Sequence, residues 1–387
     1  MALLNRAQPA PAVGAAGTDR WGTLRGAARA AAPAVLGYLL VRLAATAILW
    51  GWARSEHHSV LTLLGRKWDS LWFLGIIGHG YDHGTPLQSN LAFFPLYPQL
   101  VRGADVLSPA GPATTGVLLD WIFALAAAWG IYAVGERLYG QRAGVVLAVL
   151  WGAVPHAVVE SMAYTESLFT ALAAWTLYAL LSERWLTSGF LCLLAGLTRP
   201  TASALVPVVC LAALLAVVRS PRAWRPWAAL LLAPAGWLGY LLWVGLRLHR
   251  LDGWFHVQKD GWGSSWDGGR FTLHTARHIL STPSPLDLYA VTAVLLLAVA
   301  LFVLSLLDRQ PWPLLVFSAL LLVTSIGGSG FYHSKARFLI SAFPLLMPPA
   351  VALAKARTGT AITVLTTLTL VSGYFGGYLL LVWNHSP

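Results

Sequence analysis

Asp69 lies in a run of basic and aromatic residues, RKWDSLW at positions 66–72, in the segment that follows the first long apolar stretch. A carboxylate that is only partly hydrated among tryptophans can have raised basicity. One interpretation is therefore a general base that takes the proton of an acceptor hydroxyl. The other is a helix-start carboxylate, stabilised by the helix dipole and by Arg66 or Lys67.

Two more carboxylates, Glu160 and Glu166, flank Tyr164 at a short connection between apolar segments. Glu166 follows Thr165, so it fits the first turn of a helix with a threonine cap. Charged side chains at membrane depth are costly unless they serve a function. This cost favours a polar cavity at the connection over a purely structural role.

Three cations, Arg199, Lys335 and Arg337, lie at the ends of apolar segments on the same side as Asp69. Each could anchor a helix end by reaching with its charge to the membrane interface. Such cations also bind phosphate groups, and lipid phosphates lie at this depth. We therefore expect these three side chains to hold a phosphate.

His79 and Asp82 lie in a glycine-rich stretch and carry donor atoms that a metal ion could use. The interspersed glycines leave no fixed helical face for a metal site. We therefore consider a metal site less favoured and predict a mobile polar loop that lies above the binding site. The sequence predicts no cofactor and leaves metal dependence open.

These residue types suit transfer of a phosphate-linked sugar. Its phosphate leaves without protonation, so the reaction needs cations near the phosphate and one carboxylate to deprotonate the incoming alcohol. No glycine-rich loop between a strand and a helix is present to bind a nucleotide. The sugar donor would have to be carried on a lipid.

The elements that would position these residues are membrane helices. Hydrophobic residues make up 57% of the 387 residues and charged residues only 11%, against about 25% charged in soluble domains. Six apolar stretches approach the roughly 20 residues that cross a bilayer, at about 33–52, 113–135, 201–218, 226–246, 288–307 and 360–382. Five shorter ones lie at 143–160, 164–181, 186–198, 312–327 and 338–354. Since backbone groups in lipid must pair internally, we predict an all-α polytopic fold with about eleven transmembrane helices.

The distribution of charge predicts the orientation. Eleven crossings place the basic segment 1–32 and the short loops 136–142, 182–185, 219–225, 308–311 and 355–359 on one side, where the acids are only Asp19, Glu136, Glu183 and Asp308. This excess of basic residues in short loops is typical of the cytoplasmic side of a membrane protein, and it does not indicate nucleic-acid binding. Residues 33–387 then form one transmembrane domain whose outer segments are about 53–112, 161–163, 247–287, 328–337 and the C-terminus.

The first outer segment contains two interfacial elements. Trp68, Trp72 and Ile76 recur at four-residue spacing, which is typical of a helix lying at the membrane interface. The run LAFFPLYP at 91–98 has two prolines and three aromatics. This composition predicts a partly re-entrant or interfacial element.

Five motifs, in order along nearly the whole chain, resemble those of the PIG-V-type mannosyltransferases: WDSLWF at 68–73, FFPLYP at 93–98, AYTESLF at 163–169, AGLTRP at 195–200 and KARF at 335–338. The resemblance implies a GT-C fold, a polyprenyl-phosphate-mannose donor and transfer with inversion on the non-cytoplasmic face. Asp69 matches the family's acidic residue in the first outer loop, and Glu166 matches the Tyr-(Ser/Thr)-Glu-Ser position. Asp82 lies near where relatives often carry a glutamate after a Gly-Tyr pair.

The acceptor is left open by the resemblance. The family's eukaryotic members add the second mannose to glycosylphosphatidylinositol. Only four of the 26 basic residues are lysines, Lys67, Lys259, Lys335 and Lys355, which indicates a GC-biased bacterial chain without that acceptor. A glycolipid, a glycan or a protein could each supply the hydroxyl.

The sequence thus predicts a multi-pass mannosyltransferase of the cell membrane, in contact with membrane lipid, with Asp69 as general base. The candidates for substrate binding are Trp68, His79, Asp82, Glu160, Tyr164, Glu166, Arg199, Lys335 and Arg337. A transporter or lipid flippase is the main alternative, since intramembrane acids and broken helices also mark substrate paths. A scaffold within a larger membrane complex is a third.

Overall fold

The computed structural model describes residues 20–82, 88–383 and 385–387, with side chains from residue 25 onward. Residues 1–19 of the predicted cytoplasmic segment therefore lie outside the described residues. The described chain is helical and contains no β-strand. Its one extended pairing is an isolated antiparallel bridge between Trp266 and Gly328.

Helices of very different length follow one another along the described chain. They are α1 (Arg20–Ser55), α2 (Val60–Gly65), α3 (Asp69–His79), α4 (Leu96–Asp105), α5 (Pro112–Tyr139), α6 (Gln141–Trp151), α7 (Glu166–Leu181), α8 (Trp185–Gly196), α9 (Val206–Arg219), α10 (Trp224–Arg247), α11 (Gly253–His256), α12 (Arg270–Ser281), α13 (Leu286–Leu307), α14 (Trp312–Gly327), α15 (Lys335–Phe338), α16 (Met347–Lys355) and α17 (Thr358–Leu381).

All six apolar stretches of near-spanning length are helices long and apolar enough to cross a membrane. They correspond to α1, α5, α9 with the 3₁₀ turn before it, α10, α13 and α17. The chain is therefore an all-α protein with the elements of a multi-pass membrane protein. This part of the sequence prediction is confirmed.

The five shorter stretches are also helical, but none is a straight helix of spanning length. Helices α6, α7, α8 and α14 have fewer than 18 residues, and residues 332–355 form two helical pieces bent by 73°. The stretch predicted at 143–160 is α-helical only to Trp151, because Pro155 follows and cannot continue the hydrogen-bond ladder, and residues from Ala157 form a 3₁₀ helix. Eleven crossings thus stay a prediction.

The loops that connect the helices form two groups, one at each end of the helices. Each group contains loops that the sequence predicts on the same side of the membrane. At one end Ala163 N donates to Leu64 O over 2.9 Å, and Lys67 Nζ donates to Leu380 O over 2.6 Å. At the other end Arg137 Nη2 donates to Leu181 O and Arg142 Nη2 to Ala356 O. Segments predicted to share a side therefore lie together.

Small residues allow the closest helix contacts. Helices α8 and α10 pack along their length. A Cβ at Gly236 would collide with the carbonyl oxygen of Leu193, and one at Gly189 would lie 2.8 Å from Ala229 Cα. Close backbone approach through small residues is the usual way membrane helices associate.

Candidate active site

A cavity of about 430 Å³ opens at the end of the molecule where the predicted outer segments meet. Five of the predicted site residues line it, namely Trp68, Asp69, Arg199, Lys335 and Arg337. Tyr164 and Glu166 lie directly behind and contact these lining residues. The structure thus brings together seven of the ten side chains singled out by the sequence.

Asp69 is held at the first residue of α3, where a carboxylate is favoured by the helix dipole. The backbone just before it is strained, since Trp68 has φ of 49° and ψ of −113°. Such conformations cost about 1–3 kcal/mol and persist only where the surroundings enforce them. Here Ser70 Oγ donates to Ala163 O over 3.2 Å, and Asp69 N donates to Tyr164 OH over 3.4 Å.

The cation that accompanies Asp69 is Arg337, so the sequence interpretation with Arg66 or Lys67 in that role is wrong. Arg337 Nη1 lies 2.7 Å from Asp69 Oδ2. Arg66 is exposed. Lys67 is engaged with α17, and burial lowers the pKa of its ammonium group.

Arg337 is the centre of the polar cluster. Besides Asp69, its Nη1 donates to Ser386 Oγ over 3.2 Å, and its Nε lies 3.5 Å from Glu166 Oε1. Its guanidinium carbon lies 5.1 Å from the centre of the Tyr164 ring, a cation–π contact. A side chain with this many partners is fixed in position before any ligand arrives.

Arg199 forms the second ion pair. Its Nη1 lies 2.8 Å from Glu166 Oε1, and both side chains are nearly inaccessible. Arg199 lies between the end of α8 and a 3₁₀ turn that begins at Pro200. Glu166 begins α7 as predicted, although Thr165 makes no side-chain cap hydrogen bond.

Lys335 is oriented differently from Arg337, because residues two apart on a helix point to different sides. Its Nζ donates to Ser325 O over 2.7 Å and to Gly328 O over 2.6 Å. Among the described residues no carboxylate lies within ion-pair distance of it. The cluster of Asp69, Glu166, Arg199, Lys335 and Arg337 therefore carries one uncompensated positive charge.

Aromatic side chains form one wall of the cavity. The Trp72 ring stacks on Phe93 with centroids 5.8 Å apart, and it meets Trp262 edge-on at 5.1 Å. Phe331 continues this wall beside Trp262. Flat apolar faces next to fixed charges are typical of pockets that orient a small polar ligand.

His79 and Asp82 are not in this cavity and line a separate groove. The Asp82 carboxylate accepts hydrogen bonds from Ser89 Oγ at 2.7 Å and from Asn90 N at 3.1 Å. Arg247 donates to the backbone oxygens of Tyr81 and Asp82. No group of three metal-ligating side chains occurs in the described ranges.

Glu160 is also outside the cavity, in a buried polar cluster between α1 and the connection before α7. Tyr38 OH donates to Glu160 Oε2 over 2.9 Å. Arg42 donates to Ser161 Oγ over 3.0 Å and to Gly152 O over 3.2 Å. Asp120 on α5 is buried nearby and accepts from Ser167 Oγ over 3.0 Å.

Several site residues were missed by the sequence analysis. Ser386 contacts both Arg337 and Tyr164, and His333 and His385 line the cavity. Nothing in their local sequence distinguishes them. Arg42 and Asp120 lie outside the cavity but do carry a sequence signal, because an ionisable residue within an apolar segment is itself unusual.

No protein-family model matches the chain, and no curated protein matches it significantly. The functional interpretation therefore rests on the geometry and on the motifs. Each of the five motif segments contributes at least one residue to the lining of the cavity, for example Trp72, Phe93, Thr165, Arg199 and Phe338.

Proposed function

We propose that the protein is a membrane glycosyltransferase that moves a mannosyl residue from polyprenyl-phosphate-mannose to an acceptor hydroxyl on the non-cytoplasmic face. The observation that carries the proposal is the convergence of five sequence-distant motif segments on one cavity that contains Asp69. Residues 68–73 and 335–338 are separated by more than half of the chain. Their convergence on one charged cavity supports a shared role in binding and chemistry.

The charge of the site supports a lipid phosphodiester as donor. A sugar joined to a lipid through phosphate carries a single negative charge, which matches the one uncompensated positive charge of the cluster. Arg337 and Lys335 both line the cavity and would hold the phosphate oxygens. They would also stabilise the charge that develops as the sugar–phosphate bond breaks.

Asp69 would act as the general base. Its Oδ2 is bound by Arg337, and its Oδ1 has no hydrogen-bond donor among the described residues. The acceptor oxygen would bond to the anomeric carbon while the bond from that carbon to the phosphate oxygen breaks. The hydroxyl proton passes to Asp69, and polyprenyl phosphate departs. A single displacement of this kind inverts the configuration at the anomeric carbon.

A GT-C-type fold with about eleven crossings completes the proposal. The short helices α6, α7, α8 and α14, together with the broken segment at 332–355, would be the five additional crossings. The cavity lies at the end opposite the basic loops, and the positive-inside rule supports a location of the cavity outside the cytoplasm.

The transporter alternative is favoured by a different observation, the polar cluster of Arg42, Asp120 and Glu160 buried among the helices. Buried charges of this type line substrate paths in transporters. Counter-flow of labelled lipid-phosphate sugar across proteoliposomes, without a covalent product, would favour this alternative.

The proposal is tested with purified protein in proteoliposomes supplied with radiolabelled polyprenyl-phosphate-mannose and a panel of acceptors. Asp69→Asn should lower transfer by roughly 10²–10⁴-fold, the usual contribution of a positioned base. Asp252→Asn is the matched control, because this exposed carboxylate pairs with Arg250 away from the cavity. Equal thermal unfolding of both variants would show intact folding. Full transfer by Asp69→Asn would refute the mechanism.

A further inference from the structure

Helix α12 lies in the second long outer segment and contributes no residue to the lining of the cavity. Its sequence, RFTLHTARHILS, contains two arginines and two histidines but no acid. Only residues 282–285, with two prolines, separate it from α13, which is long and apolar enough to cross a membrane. Helix α12 therefore lies next to the point where α13 enters the bilayer.

Hydrogen bonds and packing fix which side of α12 faces the protein. Asp267 Oδ2 accepts from Phe271 N over 2.7 Å, so this carboxylate caps the start of the helix. Thr272 Oγ1 donates to Ile326 O over 2.6 Å at the end of α14. Ile279 is seven residues after Thr272, on the same face, and is 1% exposed. This face is held against the rest of the protein, so the orientation of the other faces is set.

The exposed part of α12 divides into an apolar sector and a basic sector. Leu273 and Leu280 are seven residues apart and so share one face, where they are 55% and 63% exposed. The adjacent part of the helix circumference carries four exposed basic side chains, Arg270, His274, Arg277 and His278. Helix α12 thus has three sides: one against the protein, one apolar and one basic.

The charge of the basic sector is not neutralised within the described part of the chain. Neither Arg270 nor Arg277 has an ion-pair partner there. The nearest acids along the chain face elsewhere, since Asp267 caps the helix and Asp287 is 1% exposed. Two exposed arginines on the predicted outer side also depart from the positive-inside pattern. The sector is therefore open to an anionic partner.

An anionic membrane surface fits both exposed sectors at once. Helices that lie in the interface insert leucines into the boundary of the acyl chains, and arginines on their polar side attract anionic lipids. An acidic protein or a free phosphate would match the arginines but would leave Leu273 and Leu280 in water. The exposed leucine at the start of α13, Leu286, extends the apolar surface toward the membrane-spanning helix.

We propose that α12 binds the headgroups of anionic phospholipids. Arg270 and Arg277 donate charge-assisted hydrogen bonds to the lipid phosphates, and Leu273 and Leu280 lie in the acyl boundary. This binding is independent of the proposed reaction, because no residue of α12 lines the cavity.

The test uses the full-length protein in phosphatidylcholine proteoliposomes that contain a trace of phosphatidylglycerol with a photoactivatable headgroup. The variant is Arg270→Gln with Arg277→Gln. The matched control is Arg54→Gln with Arg66→Gln, which removes two exposed arginines from the other long outer segment. Both double variants remove the same charge, so a difference between them reports on α12. Thermal unfolding shows whether each is folded.

We expect crosslinks within residues 270–281 of the wild-type protein and of the control. Because hydrogen bonds to charged groups are lost, their yield should fall about tenfold or more in the α12 variant. Photoactivatable phosphatidylcholine should crosslink there far less. No crosslink within 270–281, an equal yield in both double variants, or an equal yield with phosphatidylcholine would overturn the proposal.

A second measurement tests the apolar sector without changing an arginine. Leu273→Cys and His274→Cys, each with Cys192 and Cys210 replaced by alanine, are labelled with the same fluorophore. These neighbouring positions lie on the apolar and the basic sector. Lipid brominated on its acyl chains should quench the label at 273 and leave the label at 274 bright. Equal quenching at both positions, or none at 273, would refute the placement of α12 in the membrane interface.

Discussion

At the scale of residues, Glu160 and Glu166 show how a shared sequence setting leads to different roles. Both flank the same connection, and the sequence assigns both to substrate binding. Glu166 pairs with Arg199 beside the cavity, whereas Glu160 accepts a hydrogen bond from Tyr38 and does not line the cavity. The difference arises from partners on distant helices. A local pattern therefore cannot separate the two carboxylates.

Glu160→Gln should lower thermal stability without changing the chemistry. The amide oxygen still accepts the Tyr38 hydrogen bond, but the amide NH2 group takes the place of the buried Oε1, which has no hydrogen-bond partner among the described residues. We expect this unsatisfied buried donor to cost about 1–3 kcal/mol. Thermal unfolding in detergent measures the loss, and the donor KM should stay at its wild-type value. The matched variant Glu166→Gln should instead impair transfer, because it releases Arg199 and disturbs Arg337. A raised donor KM in Glu160→Gln would contradict this assignment.

Residue type and position predicted much of the site. The setting of Asp69 among tryptophans indicates a functional carboxylate, and Arg199, Lys335 and Arg337 depart from the positive-inside pattern; all four line the cavity. Their partners were not predictable, because ion pairs such as Asp69 with Arg337 join positions 268 residues apart. Such pairs depend on tertiary packing, which one sequence does not reveal.

At the scale of elements, helix length decided which predictions succeeded. Stretches of about 20 apolar residues form single helices because only a helix satisfies the backbone in lipid. The segment 338–354 looked similar in composition but is broken, with Pro344 in a 3₁₀ turn before α16. Hydropathy averages over such breaks, so it predicts the helical class of a segment better than its continuity.

The contact of α8 with α10 provides a test of helix packing. Gly236→Ala places a methyl group against the Leu193 carbonyl and should force the helices apart. We expect a loss of about 1–3 kcal/mol, the usual cost of overpacking. Gly239→Ala on the same helix is the control, because its added Cβ has no neighbour within 4 Å. Equal thermal unfolding of the two variants would contradict the packing described for α8 and α10.

At the scale of the whole molecule, the two ends differ in chemistry. One end carries the cavity, with paired charges and aromatic walls. The other end carries exposed cations in the short loops: Arg137, Arg142, Arg184, Arg219, Arg222, Arg225, Arg309, Lys355 and Arg357. Cations of this kind are retained on the cytoplasmic side of membranes. The proposed reaction therefore requires the cavity to open on the opposite side.

Thiol labelling in intact cells tests this requirement most directly. Leu71→Cys, two residues from Asp69, and Arg222→Cys at the basic end are each made with Cys192 and Cys210 replaced by alanine. Both positions are exposed. A membrane-impermeant maleimide should label the Leu71→Cys protein in intact cells and the Arg222→Cys protein only after permeabilisation. The reverse pattern would place Asp69 on the cytoplasmic side and contradict the proposed reaction.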